Sequence, residues 1–160
     1  MRRDGALDNT VIAHEWGHLL HLRLADCSGQ QCAAMSEGWG DFLSLHMVLR
    51  EGDDLRGAYA LAIYASGATN DAAYFGIRRA PYSIDPRKNP FTFRHISDAA
   101  ALPTTARIQD TGSSNSEVHA AGEIWTQMLF EVYVALLQQT VGPSPTPVAA
   151  CPAMTLDEVT

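Results

Sequence analysis

His14 and His18 stand four residues apart, with Glu15 directly after the first histidine. Residues at that spacing face the same side of a helix, so two imidazoles can present nitrogens to one ion. Glu15 falls near the same face but displaced. That placement suits a carboxylate that reaches a metal-activated water without ligating the metal. Zinc fits best: it accepts imidazole and carboxylate ligands, has no redox chemistry and keeps an open position in catalytic sites. The five residues alone are equally compatible with a helix carrying two partly buried histidines, and two protein ligands are too few.

Glu37 is the expected third ligand. It follows Met35-Ser36, and a connector containing Cys27 and Cys32 allows its helix to return antiparallel to the first. Asp41, one turn later, shares the side of Glu37. It is placed to accept a hydrogen bond from His14, and such a carboxylate fixes the tautomer and orientation of a ligating imidazole. The competing reading makes Glu37 and Asp41 a capping, solvent-facing acidic pair.

These residues require elements to position them. Asp8 or Asn9 caps a helix predicted from about 10 to 24. Its apolar residues Val11, Ile12, Trp16, Leu19, Leu20 and Leu22 flank the histidines, so the helix reads as buried over much of its circumference. Residues 25–33 are expected to form a loop, with Ser36 capping a second helix through about 50. A shorter helix is plausible at about 55–64. Residues 66–98 are broken by glycine and proline, with a short extended piece at 91–93. A polar loop at 110–116 precedes a third long helix from about 117 to 139, stopped by Gly142-Pro143. Strand signals are nearly absent, so the expected class is mainly α. The expected division is a partial catalytic domain at 1–142, then a Pro-rich segment and the start of a possible helix at 143–160.

Bulk properties exclude other classes. Formal net charge is −7, with a single lysine, Lys88, and no basic run long enough for a nucleic-acid surface. No apolar run approaches the roughly 18 residues of a membrane span. Arg2 and Arg3 are followed by Asp4, Asp8 and Asn9 where a signal peptide would be apolar, so no export signal is read in this chain. Cys27 and Cys32 are near enough to close a small disulfide, although reduced thiols fit equally well; Cys151 has no evident partner.

HEWGHLL followed by MSEGWGDF resembles the gluzincin metallopeptidases, in detail the fungalysin type. DGALDNTVIAHEWGH at 4–18, GIRRAPYSIDPRKNPFTF at 76–93 and EVHAAGEIWTQMLFEVYVALL at 117–137 are similar to that family, so the resemblance spans nearly the whole chain. It implies His14, His18 and Glu37 as zinc ligands and Glu15 as the catalytic carboxylate. It also implies a zincin-like helical subdomain of a thermolysin-like fold, without the β-containing half that precedes the zinc helix in that family. The expected function is a zinc-dependent endopeptidase acting on protein or peptide substrates. Relatives of this type carry a propeptide, so the missing N-terminal part or propeptide of a longer, secreted protein is an expected partner. The alternatives are a truncated zinc-binding module with little or no peptidase activity, and a purely structural helical domain.

His119, at the start of the third predicted helix, is the expected second donor to an oxyanion beside the metal. Val118-His119-x-x-Gly122 looks like the late-helix arrangement of thermolysin-like relatives, where a histidine after a valine stabilises the transition state. The alternative is a surface histidine. Those relatives also have a tyrosine beyond the second histidine; here the cysteine loop stands there, with Tyr64, Tyr74 and Tyr82 as substitutes. Arg78 or Arg79 is suited to anchoring a substrate carbonyl or bracing the zinc-ligand helices. His21, His46 and His95 read as packing or surface residues.

Overall fold

The computed structural model describes residues 3–67, 71–107 and 114–141. The expected segment at 143–160, Cys151 and the Gly142-Pro143 stop lie outside the described residues, as do residues 110–113 of the predicted polar loop.

Three long helices carry the architecture: α1 (Asn9–Leu24), α2 (Gly29–Val48) and, after the single-turn α3 (Ala72–Phe75), α4 (Val118–Val141). Helix α2 is central and packs against both α1 and α4. The chain is mainly α, as its sequence implies, and the described residues contain no strand beyond one antiparallel bridge between Tyr59 and Tyr82.

Asp8 caps α1. Its carboxylate accepts from the backbone N–H and hydroxyl of Thr10 at 3.0 and 2.6 Å, and from the N–H groups of Tyr64 and Ala65 at 3.0 Å each. One buried side chain thus starts the helix and anchors the 55–67 segment across it. Burial raises the Asp8 pKa, but the hydrogen bonds from Thr10, Ala65 and Val11 outweigh it and leave the carboxyl below its ordinary value.

Small residues let α2 approach both neighbours. A Cβ on Gly17 would meet the Gly40 Cα at 2.6 Å, and one on Gly40 would meet the His14 ring at 2.7 Å. On the opposite side of α2, a Cβ on Gly38 would lie 2.6 Å from Trp125, and one on Gly122 the same distance from the Glu37 Cβ. The core beneath consists of Leu45, Leu55, Leu61, Tyr82, Phe130 and Val134.

Several expectations about the elements are corrected. Helix α2 begins at Gly29, not near Ser36, and its N-cap is Ser28. Gly29 adopts φ +89, which lets the chain turn sharply, and the Cys27–Cys32 disulfide closes that turn so that helix starts inside the predicted loop. Ser36 is therefore a buried mid-helix residue. No helix forms at 55–64. There, Thr10 Oγ1 and Asp8 take the N–H groups of Ala62, Tyr64 and Ala65, while Tyr59 pairs with Tyr82. At 91–93 the Asn89 side chain accepts from the Phe91 N–H and Thr92 is extended, but the piece ends at Phe93, where a 3₁₀ turn begins that runs to Ile96.

Helix α1 differs from its expected burial. Ile12, Trp16, Leu19, Leu22 and Leu24 are all exposed, at 51–78 % of their surfaces. Only Ala13, Gly17 and His21 of this helix are buried.

Candidate metal centre

Helices α1 and α2 cross where Gly17 meets Gly40, and that approach brings His14 and His18 over Glu37. Ligand atoms of the three residues lie within 4.8 Å of one another. Nε2 of His14 is 3.2 Å from Glu37 Oε2, and Nε2 of His18 is 3.5 Å from Glu37 Oε1.

Each imidazole is held by its other nitrogen. His14 Nδ1 lies 2.7 Å from Asp41 Oδ1, and His18 Nδ1 lies 2.8 Å from Ser36 Oγ. With Nδ1–H donated to Asp41, the neutral His14 ring points a bare lone pair at Glu37. Glu37 Oε2 is itself buried without a hydrogen-bond partner. Two facing acceptors repel unless a proton or a cation lies between them. The donor set, two imidazoles and one carboxylate, suits a divalent metal.

The proton's claim on that position appears in the titration of His14. Burial opposes the imidazolium, but the Asp41 and Glu37 carboxylates outweigh it and raise the pKa to about 9. Glu37 is shifted down: burial works the other way, and the adjacent His14, with the charges of His119 and His18, prevails. His18 is lowered, chiefly by burial.

Asp41 is the hub beneath the site. It is fully buried and accepts from Arg78 Nε at 2.6 Å, Arg78 Nη2 at 2.7 Å, His14 Nδ1 and the Tyr82 hydroxyl. Burial alone would raise its pKa; the Arg78 guanidinium and His14 hold it far below the carboxylate range. Arg78 Nη2 also lies 3.8 Å from Glu37 Oε2. Of the two arginines, Arg78 thus braces α2 against the 76–93 segment. Arg79 braces the start of α4: it binds Glu123, donates to Asn115 Oδ1 at 3.0 Å and to the Ala120 carbonyl at 2.7 Å.

His119 reaches the site from the first turn of α4. Its Nε2 is 3.4 Å from Glu37 Oε1, and its Nδ1 is 2.7 Å from Glu117 Oε1. Glu117 also accepts from the backbone N–H groups of His119 and Ala120, so the same carboxylate starts the helix and aims the ring. Glu15 is exposed on α1 and lines a small hollow, about 150 Å³, with His14, Asp41, Arg78, His119 and the apolar Val11, Leu61 and Ile77. None of Tyr64, Tyr74 and Tyr82 lines this hollow, and Tyr82 is buried beneath it against Asp41. The structure therefore gathers all six residues expected from the sequence. His46 and His95 stand apart from the cluster.

Ser36 and Glu117 are not among the site residues expected from the sequence, and Tyr82 is named there only as a substitute for the relatives' tyrosine. Ser36 precedes a carboxylate and so resembles a helix cap. Tyr82 sits after a proline in an irregular stretch, and no periodicity points it anywhere. For Glu117 the signal is present, since a carboxylate two residues before a helix-start histidine can reach both its ring and its N–H.

The model of the family described as Fungalysin metallopeptidase (M36) matches residues 1–150. An extracellular metalloproteinase of Aspergillus terreus is 33% identical over 144 residues, covering 86% of this chain and 19% of its own length. Extracellular metalloproteinase 10 of Coccidioides posadasii is 29% identical over 153 residues, covering 89% of this chain and 21% of its own. An extracellular metalloproteinase of Neosartorya fischeri is 29% identical over 144 residues. The chain spans about a fifth of the length of these relatives. Membership implies a metal cofactor, and the converging imidazoles and the orphaned Glu37 oxygen fit one. By sequence, this chain belongs to the fungalysin metallopeptidase family.

Proposed function

We propose that this chain forms the catalytic core of a zinc-dependent endopeptidase, with His14, His18 and Glu37 as metal ligands and Glu15 as general base. The observation that carries the reading is Glu37 Oε2, buried without a hydrogen-bond partner and facing the Nε2 of His14 at 3.2 Å, with His18 beside it. Zinc in that position would supply Lewis acidity, polarising the scissile carbonyl and acidifying the attacking water.

The chain's own residues do the rest. Glu15, open to the hollow, takes the water proton on a carboxylate oxygen and passes it to the departing amine. His119 donates from Nε2 to the developing oxyanion, its other nitrogen held by Glu117. Asp41 keeps the Nδ1 proton on His14, so that Nε2 remains the ligating atom. Ser36 does the same for His18 with a neutral hydroxyl. Val11, Leu61 and Ile77 favour a modest apolar substrate side chain in the hollow.

Substrates are proteins or peptides, and the full-length protein is secreted, a reading supported by the extracellular relatives and the Cys27–Cys32 disulfide. Among the described residues no helix is long and apolar enough to cross a membrane.

A second reading, a zinc-binding module inactive by itself, is favoured by the exposed apolar face of α1. That face is suited to packing against further chain of a longer protein. Zinc analysis and hydrolysis of a quenched peptide, with Glu15→Gln as control, separate the readings. Zinc binding with turnover abolished by Glu15→Gln supports the peptidase. Zinc binding without turnover in either protein supports the module, and failure to bind zinc after reconstitution ends both.

A further inference from the structure

We propose that His21, Cys27 and Cys32 form a second, redox-gated metal site, which takes a soft divalent cation when the Cys27–Cys32 disulfide is reduced. One ring nitrogen of His21 and the two Sγ atoms lie within 4.8 Å of one another. His21 is on the last turn of α1, Cys27 in the connector and Cys32 in the first turn of α2. The cluster is separate from the centre at Glu37.

The second observation is at His21 itself. The side chain is only 9 % exposed, and its Nδ1 is buried with no hydrogen-bond partner. An orphaned buried nitrogen is costly, and packing alone does not require a histidine there. The neighbouring hollow is lined largely by apolar side chains, among them Leu20, Leu24, Met35 and Phe42. The disulfide offers the ring only a poor hydrogen-bond partner. Two thiolates and a cation would give the buried ring a charged partner.

The donors suit the ion. Thiolate with imidazole is a preferred set for zinc and its heavier congener cadmium, and two cysteines separated by four residues match zinc-site spacing. The two Cα atoms are 5.8 Å apart. Bonds of ~2.3 Å to sulfur and ~2.0–2.1 Å to nitrogen place donors about 3.5–3.8 Å apart, so the two sulfurs, bonded to each other in the disulfide, move apart on reduction to take up an ion. Cys27 is exposed, which leaves the disulfide open to a reductant.

The chemistry balances with a trialkylphosphine and water. The S–S bond breaks, phosphorus is oxidised to the phosphine oxide with the water's oxygen, and the two hydrogens end on the sulfurs. The cation then displaces both thiol protons and binds two thiolates and the neutral ring, with solvent at the fourth position. The connector between α1 and α2 is thereby clipped covalently under oxidising conditions and by a metal under reducing ones. Either clip keeps His14 and His18 in register with Glu37.

The test titrates cadmium into the full chain in a Cys151→Ser background, oxidised and phosphine-reduced. Thiolate-to-cadmium absorption and bound metal per chain are followed. The reduced protein is expected to bind one more equivalent than the oxidised protein and to show the thiolate band. His21→Ala and the bulkier His21→Gln each weaken that equivalent at least about 10-fold. No additional cadmium, an affinity unchanged in both His21 variants, or a helical signal lost on reduction and not restored by cadmium would overturn the proposal. No readout involves peptide turnover, so failure of the peptidase reading leaves this result intact.

Discussion

Asp41 serves two partners through one carboxylate: Oδ1 meets His14 Nδ1 at 2.7 Å, and Arg78 grips both oxygens from the segment beneath. Asp41→Asn should weaken both. Zinc affinity is expected to fall about 10–100-fold, read by chelator competition. Stability should also fall, because Arg78 is left as a buried charge; breaking such a pair costs about 3–5 kcal/mol. Unchanged zinc affinity in a folded Asp41→Asn protein would remove Asp41 from the metal centre.

Glu15→Gln should abolish most peptide hydrolysis while zinc content stays at the wild-type level. General-base catalysis contributes roughly 10²–10⁴-fold. Because Glu15 has no part in the packing of α1 against α2, thermal melting is expected to be unaltered. A variant that retains wild-type turnover would refute its assigned role.

His119→Ala is expected to lower kcat about 10²–10³-fold with little change in KM, the pattern of a donor engaged chiefly in the transition state. Glu117→Gln should give a smaller loss in kcat, since an amide keeps one oxygen for the ring but forfeits the charge. Loss of zinc from His119→Ala would instead mark it as a ligand.

Gly40→Ala tests the helix crossing. The added methyl meets the His14 ring at 2.7 Å and the His14 carbonyl at 2.9 Å, so the helices must separate. Overpacking of this kind costs about 1–3 kcal/mol. Both the melting temperature and zinc affinity are expected to drop, because the two ligand-bearing helices move apart.

Asp8 makes stability depend on acid. Its folded pKa lies below the ordinary 3.8, so its contribution is complete above that value and is lost as pH falls through the folded pKa. Asp8→Asn should therefore be less stable than wild type near neutrality. In urea melts the gap between the two proteins should narrow as the pH is lowered below 3.8. A pH-independent gap would show that capping geometry, and not the carboxylate charge, holds the 55–67 segment.

The candidate metal ligands were legible from sequence because a helix imposes its own geometry. Spacing of four residues is enough to put His14 and His18 on one side of α1, and Asp41 follows Glu37 by the same rule. Mainly α character was legible too, from long periodic apolar stretches without strand signals. Helix starts were less so: Ser28 with Gly29, and not Ser36, begins α2, since a covalent link between Cys27 and Cys32 governs the connector. What only the tertiary structure decided is which side chains brace the candidate ligands and from where. The Arg78–Asp41–Tyr82 network, Ser36 on His18 and Arg79 at the foot of α4 all join residues from different elements. Local periodicity carries no information about such pairings, which depend on how closely glycine lets the helices meet. The exposed face of α1 belongs to the same class: its apolar residues resemble a buried helix, and only the packing shows that the described chain leaves them uncovered.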